Sequence, residues 1–138
     1  MGQPMKTIPP IRNYMTTAPS SIRPTDTLTL AHAIMQKLEI RHLPVCESGR
    51  VVGVISDGDL FRAEGLRDAN FETLKASDVM TLKPYTVGPE APLDEVVKEM
   101  ARKKMGSAVI IDNQKVVGIF TSTDALGAFA ELLHTRLS

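Results

Sequence analysis

The chain of 138 residues contains no tryptophan, one cysteine and only 4% aromatic residues, and its 16 lysines and arginines are matched by 16 aspartates and glutamates. Each shortage removes a class of function. A single thiol, Cys46, excludes a disulfide within the chain and any multi-thiolate metal centre, and the histidines His32, His42 and His134 show no ligand spacing. Without surplus positive charge to displace counterions, or rings on which bases could stack, nucleic acid is not an expected partner. No apolar run approaches the roughly 18 residues that a membrane span requires. Residues 1–10 hold Pro4, Pro9 and Pro10 but no continuous apolar stretch, so they do not read as a secretory signal. Met1-Gly2 is followed by Lys6 at the place where myristoylation needs Ser or Thr. The expected location is the cytoplasm, with no membrane partner. What the chain does have is 43% hydrophobic and 23% charged residues, an ordinary globular balance for a length that can bury a core.

The informative feature is internal repetition. Sliding the chain against itself by 65 residues lays Tyr14-Met15-Thr16 on Val79-Met80-Thr81, Pro19 on Pro84 and Pro24 on Pro89. In the same ungapped register Leu28 meets Leu93, Met35 meets Met100, Val51-Val52-Gly53 meets Val116-Val117-Gly118, and Asp59 meets Asp124. The matches fall on Pro, Gly and apolar positions, where backbone and core constraints act. The chain therefore divides into an extension over residues 1–10, a first copy over 11–63, a linker over 64–75 and a second copy over 76–138.

Each copy predicts the same elements. Ser21-Ile22 and Thr86-Val87 lie between prolines and read as short strands. Leu28, Ala31, Ile34, Met35 and Leu38 draw one helical stripe, as do Leu93, Val96, Val97, Met100 and Ala101, with Pro92 suited to the first helical position. Apolar runs at 43–46 and 51–55, and again at 108–111 and 116–120, flank four polar residues each and predict antiparallel hairpins. A second helix starts after each hairpin, at Ser56 and at Thr121. The expected fold class is α+β: two tandem β-α-β-β-α repeats packed as a pseudo-twofold pair. Each repeat should form a mixed sheet with a right-handed crossover and helices on one face. About 60 residues is near the lower limit for independent folding, so the copies should need each other and leave a cleft where they meet.

These residues resemble the CBS domain, named for cystathionine β-synthase. The resemblance is carried by Met-Thr followed by Pro, the amphipathic helix, Arg41-His42-Leu43-Pro44-Val45 and the run from Val51 to Asp59. It covers roughly residues 11–129, and two copies would form a Bateman module. In the second copy Lys104-Met105-Gly106-Ser107-Ala108 replaces the Arg-His-Leu-Pro pattern. The resemblance implies an adenosine-containing ligand held in the cleft by the motif Gly, apolar, any, Ser/Thr, two spacers, Asp. Both copies carry it, as Gly53-Val54-Ile55-Ser56-Asp57-Gly58-Asp59 and Gly118-Ile119-Phe120-Thr121-Ser122-Thr123-Asp124. The implied ligands are AMP, ADP, ATP or S-adenosylmethionine, with or without Mg²⁺.

The residue types suit that chemistry. A strand that turns into a helix leaves unpaired N–H groups which, with the helix dipole, attract phosphate. Ser56 and Thr121 add hydroxyls there, and the carboxylates of Asp59 and Asp124 match the paired hydroxyls of a ribose. Gly53 and Gly118 permit close approach of backbone, and Ile22 and Val87 offer an apolar wall for adenine. Arg41 and His42 are candidates for phosphate contact or for a solvated strand start, as Lys103 and Lys104 are for phosphate contact or a solvated helix end. The same Ser/Thr-x-x-Asp spacing also serves as a helix capping box. Cys46, Met35 and Met100 are assigned to the core and His32 to a surface or packing position. In the last helix Leu126, Phe129, Ala130, Leu133 and Leu137 share one face, which either closes the monomer or meets a second subunit.

Two functions follow. The first is a stand-alone regulatory module that binds an adenosyl ligand, forms a homodimer and signals to an unidentified partner protein. The second is a ligand-free dimerisation module in which the motifs only cap helices. No nucleophile beside a base, acid/base pair or metal-ligand set is present, so the chain is not expected to be an enzyme.

Overall fold

The computed structural model describes residues 7–66 and 68–137, and the side chains as far as residue 135. Two lobes of matching architecture occur. In the first, helix α1 (Leu28–Leu38) precedes the hairpin β2 (His42–Glu47) and β3 (Arg50–Ser56), followed by α2 (Asp57–Glu64). In the second, strand β5 (Thr86–Val87) and helix α4 (Leu93–Lys103) precede β6 (Ser107–Asp112), β7 (Lys115–Thr121) and α5 (Ser122–Leu137). β5 runs parallel to β6 and β6 antiparallel to β7, which gives the expected mixed sheet.

The hairpins are tighter than the polar tetrapeptides predict. Glu47 pairs with Arg50 and Asp112 with Lys115, so only two residues make each turn. Ser48 and Gly49 (φ 53 and 80), and Asn113 and Gln114 (φ 51 and 67), all take positive φ. Positive φ at both centre residues matches the right-handed twist of the flanking strands. A register shift falls between Val45 and Cys46, and at the same place in the second copy between Ile110 and Ile111.

Ser21-Ile22 does not form a strand. Ile22 makes one parallel bridge to Val45, donating its N–H to the Pro44 carbonyl at 3.0 Å and accepting from the Cys46 N–H at 2.8 Å. Pro92 is the N-cap of α4, one residue before the first helical position, because the backbone there is still extended.

The pairing of the lobes lies beyond the sequence pattern. Strand β1 (Thr16–Thr17), from the start of the first copy, pairs with β7 of the second. Strand β4 (Thr81–Leu82), from the start of the second copy and preceded by the short helix α3 (Ala76–Val79), pairs with β3 of the first. The flanking backbone follows. Ile11 donates to the Ala91 carbonyl at 2.8 Å, and Ala76 to that of Asp26 at 2.8 Å.

The cores record the same exchange. Ile11 is fully buried with Leu93, Val96, Met100, Ile110 and Phe120 of the second lobe, whereas Ala76 is buried with Leu28, Met35, Leu43 and Ile55 of the first. Met35 and Met100 are therefore core residues, and His32 is exposed. Cys46, expected in the core, is only half-buried. The glycines that open each motif admit the exchanged segments. A Cβ on Gly53 would sit 2.6 Å from Met80 Sδ, and one on Gly118 would overlap Met15 Sδ. The last helix does not close the monomer: Leu126, Phe129 and Leu133 are 69%, 60% and 43% exposed, and Ala128 is the buried residue. The side chain of Leu137 lies outside the described residues.

Candidate functional site

A cleft of about 740 Å³ separates the end of α1 from the start of α5. One wall is Leu38, Glu39, Ile40, Arg41 and His42 of the first copy; the other is Thr121, Ser122, Thr123 and Asp124 of the second. Thr16, Ala18, Pro19 and Ser20 close it, brought there because β1 pairs with β7. The cleft thus gathers Arg41, His42, Thr121 and Asp124, four residues that sequence reasoning singles out. It also contains Thr16 and Asp57, which that reasoning passed over. The recurrence of Met15-Thr16 as Met80-Thr81 was the available signal.

Asp124 is half-buried. Its Oδ2 accepts the Thr121 N–H at 3.0 Å and the Thr121 hydroxyl at 3.2 Å, and the Thr16 hydroxyl stands 3.4 Å from both oxygens. Oδ1 is therefore left with one long contact and acceptor capacity to spare, on a residue that lines the cleft. Across the opening Arg41 is exposed and meets Asp57 Oδ2 only at 3.9 Å, a loose pair worth little in water. The His42 imidazole reaches over to the second copy, where a Cβ on Gly106 would lie 2.7 Å from its Nε2. Burial holds its pKa below the usual 6.5, against the pull of Asp57 and Asp59 and together with that of Arg41. The imidazole is therefore neutral near pH 7 and can accept or donate one hydrogen bond.

Ser56 and Asp59 stand elsewhere, at the start of α2. Ser56 Oγ accepts the Asp59 N–H at 3.1 Å, and Asp59 Oδ2 accepts the Ser56 N–H at 2.8 Å, a reciprocal capping box. Asp59 is 8% exposed, and its Oδ1 is held by Arg62 at 2.6 Å.

Ile22 is buried and lines a separate opening of about 470 Å³ with Cys46, Arg23, Asp26 and Val116. There burial pushes the Cys46 thiol up, partly countered by a hydrogen bond with Ser21. Val87 packs in the core of the second lobe and lines neither cavity. Lys103 and Lys104 are exposed at the end of α4, with Lys104 in the left-handed cap position. Among the described residues no group of three or more His, Cys, Asp and Glu side chains could hold a metal ion, and no helix is long and apolar enough to cross a membrane.

Exchanged edge strands, a cleft between copies and a Ser/Thr-x-x-Asp helix start in each copy define a tandem two-lobed module. The CBS domain profile matches residues 11–65 and 76–131, and the chain belongs to the CBS domain family.

Inosine-5′-monophosphate dehydrogenase of Korarchaeum cryptofilum is 30% identical over 117 residues, covering 84% of this chain and 23% of that enzyme. The first three curated relatives are much longer proteins, of which the chain spans 19–39%. Among solved structures, an uncharacterized conserved protein of Pyrococcus horikoshii shares 30% identity at a TM-score of 0.77, over 90% of this chain and 94% of that one. The CBS domain pair of protein MJ0100, in complex with 5′-methylthioadenosine and S-adenosyl-L-methionine, superimposes at a TM-score of 0.82 with 24% identity, over 91% and 98%.

Proposed function

We propose that the chain is a regulatory, non-catalytic CBS-pair module that binds an adenine nucleotide or another adenosyl ligand in the cleft between copies and signals its occupancy to a partner protein. The observation that carries this reading is the convergence, in one cleft of about 740 Å³, of a part-free carboxylate, Asp124, with Arg41 and His42 opposite it. Asp124 would accept from the ribose hydroxyls. Arg41, His42 and the N–H groups at the start of α5 would meet phosphate or another polar tail. The MJ0100 pair, of the same fold, holds two ligands that share an adenosyl group. Because the walls come from different copies, a ligand binds one arrangement of the lobes better than others, and that difference is the signal.

Melting curves with AMP, ADP, ATP and S-adenosylmethionine, with and without Mg²⁺, test the reading. A ligand at 100 times its Kd adds about 2.7 kcal/mol of stability. For a chain of this size that is a rise of roughly 5–10 °C. Asp124→Ala should lose the shift. If no adenosyl ligand shifts the melt, the alternative holds: a ligand-free interaction module whose Ser/Thr-x-x-Asp motifs only cap helices, a reading favoured by the complete box at Ser56 and by its counterpart, in which Thr121 Oγ1 accepts the Asp124 N–H at 3.3 Å and Asp124 Oδ2 accepts the Thr121 N–H at 3.0 Å.

The same proposal includes a homodimer. Phe61 on α2 is 76% exposed, and Leu126, at its repeat-equivalent place on α5, is 69% exposed beside Phe129 and Leu133. A second copy would cover this apolar face.

A further inference from the structure

The two copies carry the same motif, yet their acids are not in the same state, and the difference lies three residues on. Asp59 is followed at that spacing by Arg62, whose Nη2 holds Oδ1 at 2.6 Å. Asp124 is followed by Gly127, which has no side chain, and a Cβ placed there would meet nothing within 4 Å. A reciprocal exchange accompanies it. Gly58 lies under the Arg62 guanidinium, where a Cβ would be 3.4 Å from Nη1, whereas the second copy has Thr123 at that place. So the first copy has glycine where its arginine must lie, and the second has glycine where the arginine would be.

We infer that Arg62 is an internal occupant of the first motif, holding the Asp59 carboxylate that a ribose would otherwise use, so that the chain carries one adenosyl site, at Asp124, rather than two. The inference rests on the reading of the cleft given above. The repeat offset supports it from the other walls. Ala18, Ser20, Arg41 and His42 of the open cleft correspond to Lys83, Tyr85, Gly106 and Ser107 on the other side of the pseudo-twofold. Two small residues are replaced by large ones, Arg41 and His42 have no basic counterpart, and the cations of that side are instead Lys83, Lys103 and Lys104, which correspond to Ala18, Leu38 and Glu39. With Oδ2 in the capping box and Oδ1 on Arg62, Asp59 has each oxygen engaged by a strong donor, and only 8% of the residue is exposed. A ribose diol would also donate charge-assisted bonds to this carboxylate, but it would first have to displace Arg62, which is 72% exposed yet already held in place three residues along the same helix.

Two measurements test this separately from the cleft itself. In the first, isothermal titration with AMP, ATP and S-adenosylmethionine should give one site per chain. Asp124→Ala should weaken it about 10- to 100-fold and Asp59→Ala should leave it unchanged. Arg62→Ala should add a second, weaker site, because the walls at Lys83, Tyr85, Gly106 and Ser107 are unchanged, and Thr123→Gly with Gly127→Arg, which copies the first motif into the second, should weaken the wild-type site by about 10- to 100-fold. Two equivalent sites in the wild-type chain, or a site lost with Asp59→Ala and kept with Asp124→Ala, would overturn the inference while leaving an adenosyl module.

In the second, a water-soluble carbodiimide with an amine labels free carboxylates, read by peptide mass spectrometry without any nucleotide. Asp59 should be spared in the wild-type chain and labelled in Arg62→Ala, with Asp124 labelled in both. Equal labelling of Asp59 in the two proteins would overturn the masking even if a nucleotide binds. No nucleotide binding to either protein, with the labelling as expected, would sink the adenosyl reading and the one-site count, and leave Arg62 as the mask of Asp59.

Discussion

Adding one methyl group at Gly53 and at Gly118 separates two kinds of crowding that the repeat makes look alike. On Gly53 the new Cβ would be 2.6 Å from Met80 Sδ, 2.9 Å from Met80 Cγ and 2.9 Å from the Thr81 carbonyl oxygen. On Gly118 the nearest atoms all belong to the Met15 side chain. A methionine has three rotatable bonds and can move aside, whereas the Thr81 carbonyl is fixed in the pairing of β3 with β4. Replacing a strand glycine by alanine gains roughly 0.5–1 kcal/mol of backbone entropy. Overpacking costs about 1–3 kcal/mol. Gly118→Ala should therefore lie within about 1 kcal/mol of wild type and Gly53→Ala about 1–2 kcal/mol below it once the gain is set against the cost. At about 2 cal/mol/K of unfolding entropy per residue, each kcal/mol moves the midpoint roughly 3–4 °C, so Gly53→Ala should melt about 3–8 °C early. Differential scanning calorimetry reads this, and Met15→Ala should relieve Gly118→Ala fully where Met80→Ala relieves Gly53→Ala only in part. Equal losses at the two glycines, or Gly53→Ala melting with wild type, would refute the close packing of the exchanged strand.

Gln114→Gly should stabilise the chain by about 1 kcal/mol in urea titration, because Gln114 holds φ at 67 where glycine pays no steric cost. Asp59→Ala removes half the capping box together with the Arg62 pair, and should lower stability by about 1–2 kcal/mol in the same assay. Acid should weaken the fold through His42. Its pKa lies below 6.5 in the fold because burial disfavours the charged ring, so the unfolded chain takes up a proton that the native chain resists. That contribution is complete above about pH 6.5 and is lost as the pH falls toward the folded value. The loss between pH 7.5 and 5.5 should therefore be smaller in His42→Gln than in wild type. Sedimentation velocity should show a dimer that Leu126→Glu with Phe129→Glu converts to a monomer, since both side chains are exposed in the isolated chain.

Much of the fold was legible because the constraints that shape it repeat. Leu28, Ala31 and Met35 fall at helical spacing and are buried, as are Leu93, Val96 and Met100. The hairpins announced themselves by apolar runs around short polar stretches. The exchange of β1 and β4 left no such trace. Thr16, Thr17, Thr81 and Leu82 are all exposed, so no alternation marks them as strands, and their partners lie in the other copy. Ser56-x-x-Asp59 and Thr121-x-x-Asp124 look interchangeable along the chain. Only the folded helix brings Arg62 onto the first acid and leaves the second facing the cleft. Ile22 and Val87, paired by the offset, part company as well: Ile22 is buried in the first core at the border of the smaller opening, whereas Val87 is half-buried against the second core and borders neither opening.

The crossed β1 and β4 make the two lobes a laced pair. Pulling them apart means unthreading a stitch from each side, so melting one lobe robs its neighbour of a border strand and of an anchoring side chain, Ile11 or Ala76. Damage to either half is thereby felt at once by the other, and the chain comes undone as a whole.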